Sequence, residues 1–343
     1  MDGKIHRVDV DGDKAGRKSG AYIGHLDGFP AGYIHNHKTG EAVRWKATRP
    51  TRSISPAERG KAADRIKRKQ DAKVTARRQQ EGAVARKASI IWSRAKPVRT
   101  HPYLVRKDVG SHGLREDRRG NLVVPMQDIA GKIWSLQTID RDGGKLYLKG
   151  GRKAGTHAVL GRIDPGAPIV IAEGYAAAAT MREVAGLATV AAFDSGNLLE
   201  VANAYRAADP KRAIIMAGDN DHHLPRREAP LPNVGAEKAT AAAAAVEGMV
   251  VLPPFVPADQ GSDFNDYAAQ HGATALRRLV EAELGQRSIT PPRPIRISVA
   301  RPAASQEARD TFRAQAATSA DQAAGTASRV AQQAVQRSRG PSM

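Results

Sequence analysis

From Pro168 onward, apolar runs alternate with amphipathic stretches: PIVIAEG, AAAATMREVAG, LATVAAF, NLLEVANAYRAAD, RAIIMAGDND, a stretch through EKATAAAAAVEG, and MVVLPPF. Short continuous apolar runs, closed by glycine or an acid and followed by helix-length segments, predict buried strands joined by crossover helices. The expected fold is α/β, with a mostly parallel sheet.

Upstream the rhythm is shorter. Leu122–Met126, Ile133–Gln137 and Lys145–Leu148, separated by Gly131-Lys132 and Asp142-Gly143-Gly144, predict hairpin strands. Between Ala21 and Ala47, AYIGHLDGFPAGYIHNHKTGEAVRWKA interleaves apolar runs with the turn dipeptides Asp27-Gly28 and Thr39-Gly40, the form of a small antiparallel β-module. From Pro56 to Lys96 the chain is rich in lysine, arginine, alanine and glutamine. Ile66, Val74, Val84, Ile91 and Trp92 fall only loosely at helical intervals, which predicts a long, largely solvated basic helix. Such a helix serves equally as a charged connector or as a nucleic-acid contact. After Gln286, SITPPRPIRISVARPAA leads into an Ala/Gln/Ser/Arg-rich tail, expected to be a linker followed by weak helix or disorder. The expected segments are a β-module at 1–50, a basic helical connector at 51–96, a mixed α+β basic subdomain at 97–166, the parallel α/β domain at 167–285 and the linker and tail at 286–343.

Charge narrows the partners. Lysine and arginine outnumber aspartate and glutamate by 54 to 35, a formal charge of +19, which suits a densely phosphorylated partner. With no cysteine, disulfides, thiolate zinc sites, iron–sulfur clusters and a cysteine nucleophile are excluded. The N-terminal MDGKIHRVDVDGD has no apolar signal region, and no run approaches the ~18 apolar residues that span a bilayer, so a cytoplasmic protein without membrane attachment is expected.

Three acids stand at the ends of expected parallel strands, where open α/β sheets place their ligand sites. Glu173 ends PIVIAEG; Asp219 and Asp221 end RAIIMAGDND. Two carboxylates at i and i+2, joined by a third from the neighbouring strand, make a hard oxygen site that suits Mg²⁺, or Mn²⁺, and through it phosphoryl chemistry.

The ordered blocks EGYAAA (173–178), AFDSGNL (192–198), AGDND (217–221), NVGAEKA (233–239) and SDFND (262–266) resemble the Toprim domain of primases from conjugative plasmids and related mobile elements. The resemblance implies that Glu173 acts as general acid or base at the bond being made and that Asp219 and Asp221 hold the metal. Asp263 is counted with them and with Glu173 as the expected metal set, with Asp266 close behind and Asp194 at the mouth of the cleft. Upstream, HPYLVRKDV and GNLVVPMQDIAGKIWSLQTIDRDGGKLYLKGGRKAGTH resemble the basic subdomain that precedes Toprim in these primases, with a more distant likeness to the bacterial replicative primase. By that comparison Arg106, Lys107, Lys145, Lys149 and Lys153 face the acids and bind nucleotide phosphates or template. Lys238 is either another phosphate contact or a helix-surface charge. The N-terminal GHLDGFPAGYIHNHKTGEAVRWKA resembles a small module near the start of such proteins, and the likeness runs from about residue 20 to 285.

The resemblance implies primer synthesis on single-stranded DNA from nucleoside triphosphates, in plasmid or mobile-element replication or transfer, with a helicase or relaxase as candidate companion. A Toprim nuclease would use the same carboxylates to activate water but need not hold a triphosphate. A Toprim topoisomerase would need a tyrosine nucleophile in a separate gate domain, for which the chain has no obvious room. A non-catalytic single-strand binder would want more than the 4% aromatic content found here. Many primases read template with a zinc module, and a chain without cysteine has no thiolate version of one. His35 and His37 alternate onto one strand face with His25 nearby, an incomplete histidine set that no acid or thiol completes.

Overall fold

The structure, a computed structural model, describes residues 3–13, 16–26, 30–48, 55–228, 230–286 and 289. The expected linker and tail lie almost wholly outside the described residues. The chain forms two compact units that part between Arg78 and Gln79, inside the long helix α1 (Pro56–Arg94).

The first unit holds β1 (His6–Val8), β2 (Gly20–His25), β3 (Ala31–Asn36) and β4 (Ala42–Lys46), in an antiparallel sheet of order β1-β2-β3-β4. Gly32 sits beneath Trp45, its partner across the ladder; any side chain at 32 would occupy the space of the indole. From Gly60 to Gln80 the described residues of α1 are all exposed, as its charge-rich sequence predicts.

The second unit opens with the last turns of α1, where Ala88 is fully buried and packs with Val123 and Leu136, against Ile91 and Trp92. These rest on a five-stranded sheet of order β5-β6-β7-β8-β9, built from β5 (Lys96–Pro97), β6 (Arg115–Glu116), β7 (Leu122–Gln127), β8 (Ile133–Ile139) and β9 (Lys145–Tyr147). All its pairings are antiparallel. Between β5 and β6 lies a short helix, α2 (Pro102–Lys107), capped by the His101 ring, which accepts the Tyr103 amide. Arg106 and Lys107 therefore sit at the end of a helix.

The larger sheet has the order β10-β12-β11-β13-β14: β10 (Ala158–Leu160), β11 (Ile169–Ala172), β12 (Ala188–Ala191), β13 (Ile214–Ala217) and β14 (Met249–Val251). Four of these strands run parallel; β10 is an antiparallel edge on β12. Period-two alternation splits the central strands between two cores. Val170, Ala172, Ile215 and Ala217 face one core, with α3 (Tyr175–Ala185) and α7 (Ala273–Gly285). Ile169, Ile171, Ile214 and Met216 face the other, with α4 (Leu198–Ala208) and α5 (Val234–Ala245). A last short helix, α6 (Phe264–His271), packs beside α3 and α7. No helix among the described residues is long and apolar enough to cross a membrane.

Candidate active site

Glu173 follows β11 directly and Asp219 lies two residues past β13. Those strands are parallel neighbours with Ala172 opposite Ala217, so both acids emerge at one edge of the sheet. Close packing holds them there. A Cβ on Gly235, at the start of α5, would fall 2.6 Å from the Asp219 carbonyl oxygen and 2.9 Å from its Cβ, so only glycine lets the helix come this near.

The two aspartates of GDND are held differently. Asp221 Oδ2 accepts the Gly235 amide (3.1 Å), and the Asp221 amide donates to Asn233 Oδ1 (2.9 Å). Asn233, the N-cap of α5, also donates to Asn220 Oδ1 (2.8 Å). Asp219 Oδ1 and Glu173 Oε1, by contrast, are buried with no hydrogen-bond partner. On the far side, Asp263 caps α6 by accepting the Asp266 amide (2.8 Å), and the Asn220 amide donates to the Ser262 carbonyl (2.7 Å), tying the GDND and SDFND loops together.

The acids strain one another. Burial, reinforced by repulsion from Glu173, Asp263, Asp221 and Asp266, pushes the Asp219 carboxyl up to about 9. Burial and then Asp221 raise Glu173 to about 7, against the pull of the Ser195 amide and with a further push from Asp263. Asp263 is also raised, by burial and then by Asp266, with Lys107 opposing. Two unpartnered carboxylate oxygens that resist ionisation are what a divalent cation would satisfy. Among the described residues no three His, Asp or Glu side chains converge into a complete cage, so an ion here would take further ligands from water or substrate phosphate.

Two lysines reach this cluster from the basic sheet and α2. Lys107 Nζ donates to Asp266 Oδ1 (3.1 Å). Lys145 is exposed by area, yet its ammonium comes within 4.0 Å of where a Gly174 Cβ would stand, at the first turn of α3. Loss of water and then repulsion from Lys107 lower its pKa, while Asp263, Asp219 and Asp266 hold it up. Asn265 locks the arrangement, its Nδ2 donating to the Lys107 carbonyl (2.6 Å) and to Thr180 Oγ1 (3.0 Å).

The other candidate residues make contacts of their own. Arg106 turns onto the Tyr103 ring and donates to the Arg141 carbonyl (3.1 Å). Lys153 pairs with Asp194 and stands over the Tyr147 ring, whose hydroxyl donates to the Phe193 carbonyl (3.3 Å). Lys149 and Lys238 are exposed, Lys238 on the outer face of α5. His35 and His37 have ring centroids 3.9 Å apart, but no third ligand joins them among the described residues.

Sequence reasoning missed Gly235 and Asn265, and also Asn233 and Tyr103. Asn233 was legible as an N-cap before a helix. Tyr103 carried no such signal: its buried hydroxyl has no partner, and burial, with Asp263 second, pushes it up to about 12.

Residues 168–274, which carry every one of these acids, match the Toprim domain family. That segment is a Toprim domain. Outside the Toprim domain the similarity continues. The chain is 42% identical over 265 residues to a DNA primase TraC of Escherichia coli, covering 76% of this chain and 25% of that protein. A second Escherichia coli DNA primase TraC is 41% identical over the same length, covering 76% of this chain and 18% of the relative. The chain thus spans a quarter or less of these relatives. Among solved structures, the primase fragment of the bacteriophage T7 primase-helicase protein aligns at 18% identity with a TM-score of 0.35, over 52% of this chain and 69% of that one.

Proposed function

We propose that this chain makes short primers on single-stranded DNA, joining nucleoside triphosphates by nucleotidyl transfer in the replication or transfer of a plasmid or mobile element. One observation supports the reading: Glu173 and Asp219 carry buried, unpartnered oxygens in an acidic cluster that Lys107 joins through Asp266 and that Lys145 approaches closely enough to feel Asp219 and Asp263. A water-activating nuclease need not hold a triphosphate. A polymerising site must, and holding one beside a cluster of carboxylates takes cations.

Asp219, whose buried oxygen lacks a partner, would hold Mg²⁺ or Mn²⁺ with Asp221 and Asp263 beside it, water and substrate phosphate completing the shell; when bound, the ion offsets charge on the reacting phosphoryl group. Lys107 and Lys145 bind and orient the triphosphate. Glu173 takes the proton of the attacking 3′-hydroxyl as the new phosphodiester bond forms and pyrophosphate leaves. A helicase or a relaxase is the companion such an activity would serve.

The test is incubation of the protein with single-stranded DNA, nucleoside triphosphates and Mg²⁺, with Asp219→Ala as control. New short oligonucleotides that disappear in the variant support priming. Cleavage of the template without new product would overturn it in favour of nuclease chemistry.

A further inference from the structure

The first unit contains a ring-bearing, basic sheet face that the active site does not use. Alternation along β3 puts Tyr33 and His35 on one face, and His37 continues the row. Tyr33 and His35 ring centroids are 5.8 Å apart, and those of His35 and His37 are 3.9 Å apart. The ladder sets Arg44 opposite Tyr33, with its guanidinium 5.8 Å from the ring centroid. It also sets His35 opposite Ala21, which in turn lies opposite Arg7. The small Ala21 and Ala42 lie on either side of His35; Tyr33 and His35 are half-buried and His37 is exposed. Within the four strands this face carries no carboxylate. The opposite face is different: Val8, Tyr22, Ile34 and Trp45 line an apolar groove of about 330 Å³.

We propose that the Tyr33–His35–His37 face is a single-strand docking platform that holds the DNA template in a protein without a cysteine zinc module. This rests on the priming reading in that the bound strand is the template. Three rings in a row, edged by Arg7 and Arg44, supply stacking surface for two or three unpaired bases and cations for the phosphates between them. The bases of a duplex are stacked on each other and could not use the rings, so the platform selects single strands. His37 is held below the usual histidine range by loss of water, His35 and Arg7, which keeps its ring neutral and suited to stacking. Stacking tolerates any base, so the platform supplies affinity with little sequence preference.

The test uses the full chain, a fluorescein-labelled twelve-nucleotide oligo(dT) and EDTA, so that binding is read without chemistry. Tyr33→Ala, His35→Ala and Arg44→Glu should each weaken binding about tenfold, while Tyr33→Phe, which keeps the ring, should bind like the parent. In the unmutated protein, photocrosslinking of 5-iodouracil-substituted oligonucleotide should mark the β3 peptide, a readout that does not depend on any variant folding. Unchanged affinity in the alanine variants, crosslinks confined to residues beyond Arg78, or equal affinity for duplex DNA would each overturn the proposal. If the β3 variants lose binding although no primer is ever made, the platform stands and the priming reading falls. If primers are made and the β3 variants bind normally, the reverse holds.

Discussion

Lys107 on α2 donates to Asp266 on α6 at 3.1 Å, so the basic subdomain and the acidic loop of the Toprim domain are joined across the cleft by one ion pair. Both side chains keep 31% of their surface in solvent. A pair this exposed contributes only about 0–1 kcal/mol to folding. Lys107→Ala is therefore expected to leave the melting temperature within about 3 °C. It should raise KM for nucleoside triphosphate about tenfold, the scale of one lost charge-assisted contact of roughly 1.4 kcal/mol. Steady-state primer synthesis beside thermal melts measures both.

The raised carboxyls make stability depend on pH in a definite direction. Glu173 titrates at about 7 and Asp219 at about 9 when folded, well above the roughly 4 of an unfolded carboxyl. From about pH 4 up to about 7 for Glu173 and up to about 9 for Asp219, the folded chain therefore holds a proton that the unfolded chain has already lost, and stability falls as pH rises. Metal-free protein should melt several degrees lower at pH 9 than at pH 7. Mg²⁺ should remove most of that slope, and so should Asp219→Asn in EDTA. A flat melting profile in EDTA would show that the acids are not buried against each other.

Gly235 is expected to be intolerant of even one methyl group. Gly235→Ala brings a carbon to 2.6 Å from the Asp219 carbonyl oxygen and must push α5 away from the GDND turn. A cost of about 1–3 kcal/mol follows from overpacking. Weakened Mn²⁺ binding, measured by electron paramagnetic resonance, would accompany it, because Asp219 moves. Normal binding with normal stability would contradict the packing argument.

Tyr103 keeps a buried hydroxyl without a partner. Leaving a buried donor unsatisfied costs about 1–3 kcal/mol, so Tyr103→Phe should stabilise the fold by about 1 kcal/mol in denaturant titrations. Destabilisation would mean the hydroxyl has a partner when the protein is in water.

The parallel core was readable because β11, β12 and β13 are continuous apolar runs closed by acids or small residues, and burial on both faces demands that composition. β10 was not: three residues behind His157, after a glycine- and lysine-rich stretch, give no period to detect, and its place is set by pairing with β12. α7 was readable in principle, since Leu276, Val280 and Leu284 recur every four residues and all are buried. At the site, the acids were legible because they end strands. Which lysines reach them was not. Lys107 and Lys145 differ from Lys149 and Lys153 only in where α2 and β9 point them, a matter of tertiary packing.

The Gly235 amide at the head of α5 is already given to Asp221. In glycine-rich nucleotide-binding loops that end of a helix cradles phosphate. Here a protein carboxylate occupies it, and the positive charge for a substrate anion is imported from a separate antiparallel sheet. Acids and cations are consequently encoded in different stretches of chain, and on the proposed reading an isolated Toprim domain cut at residue 167 would keep its carboxylates while losing Lys107 and Lys145.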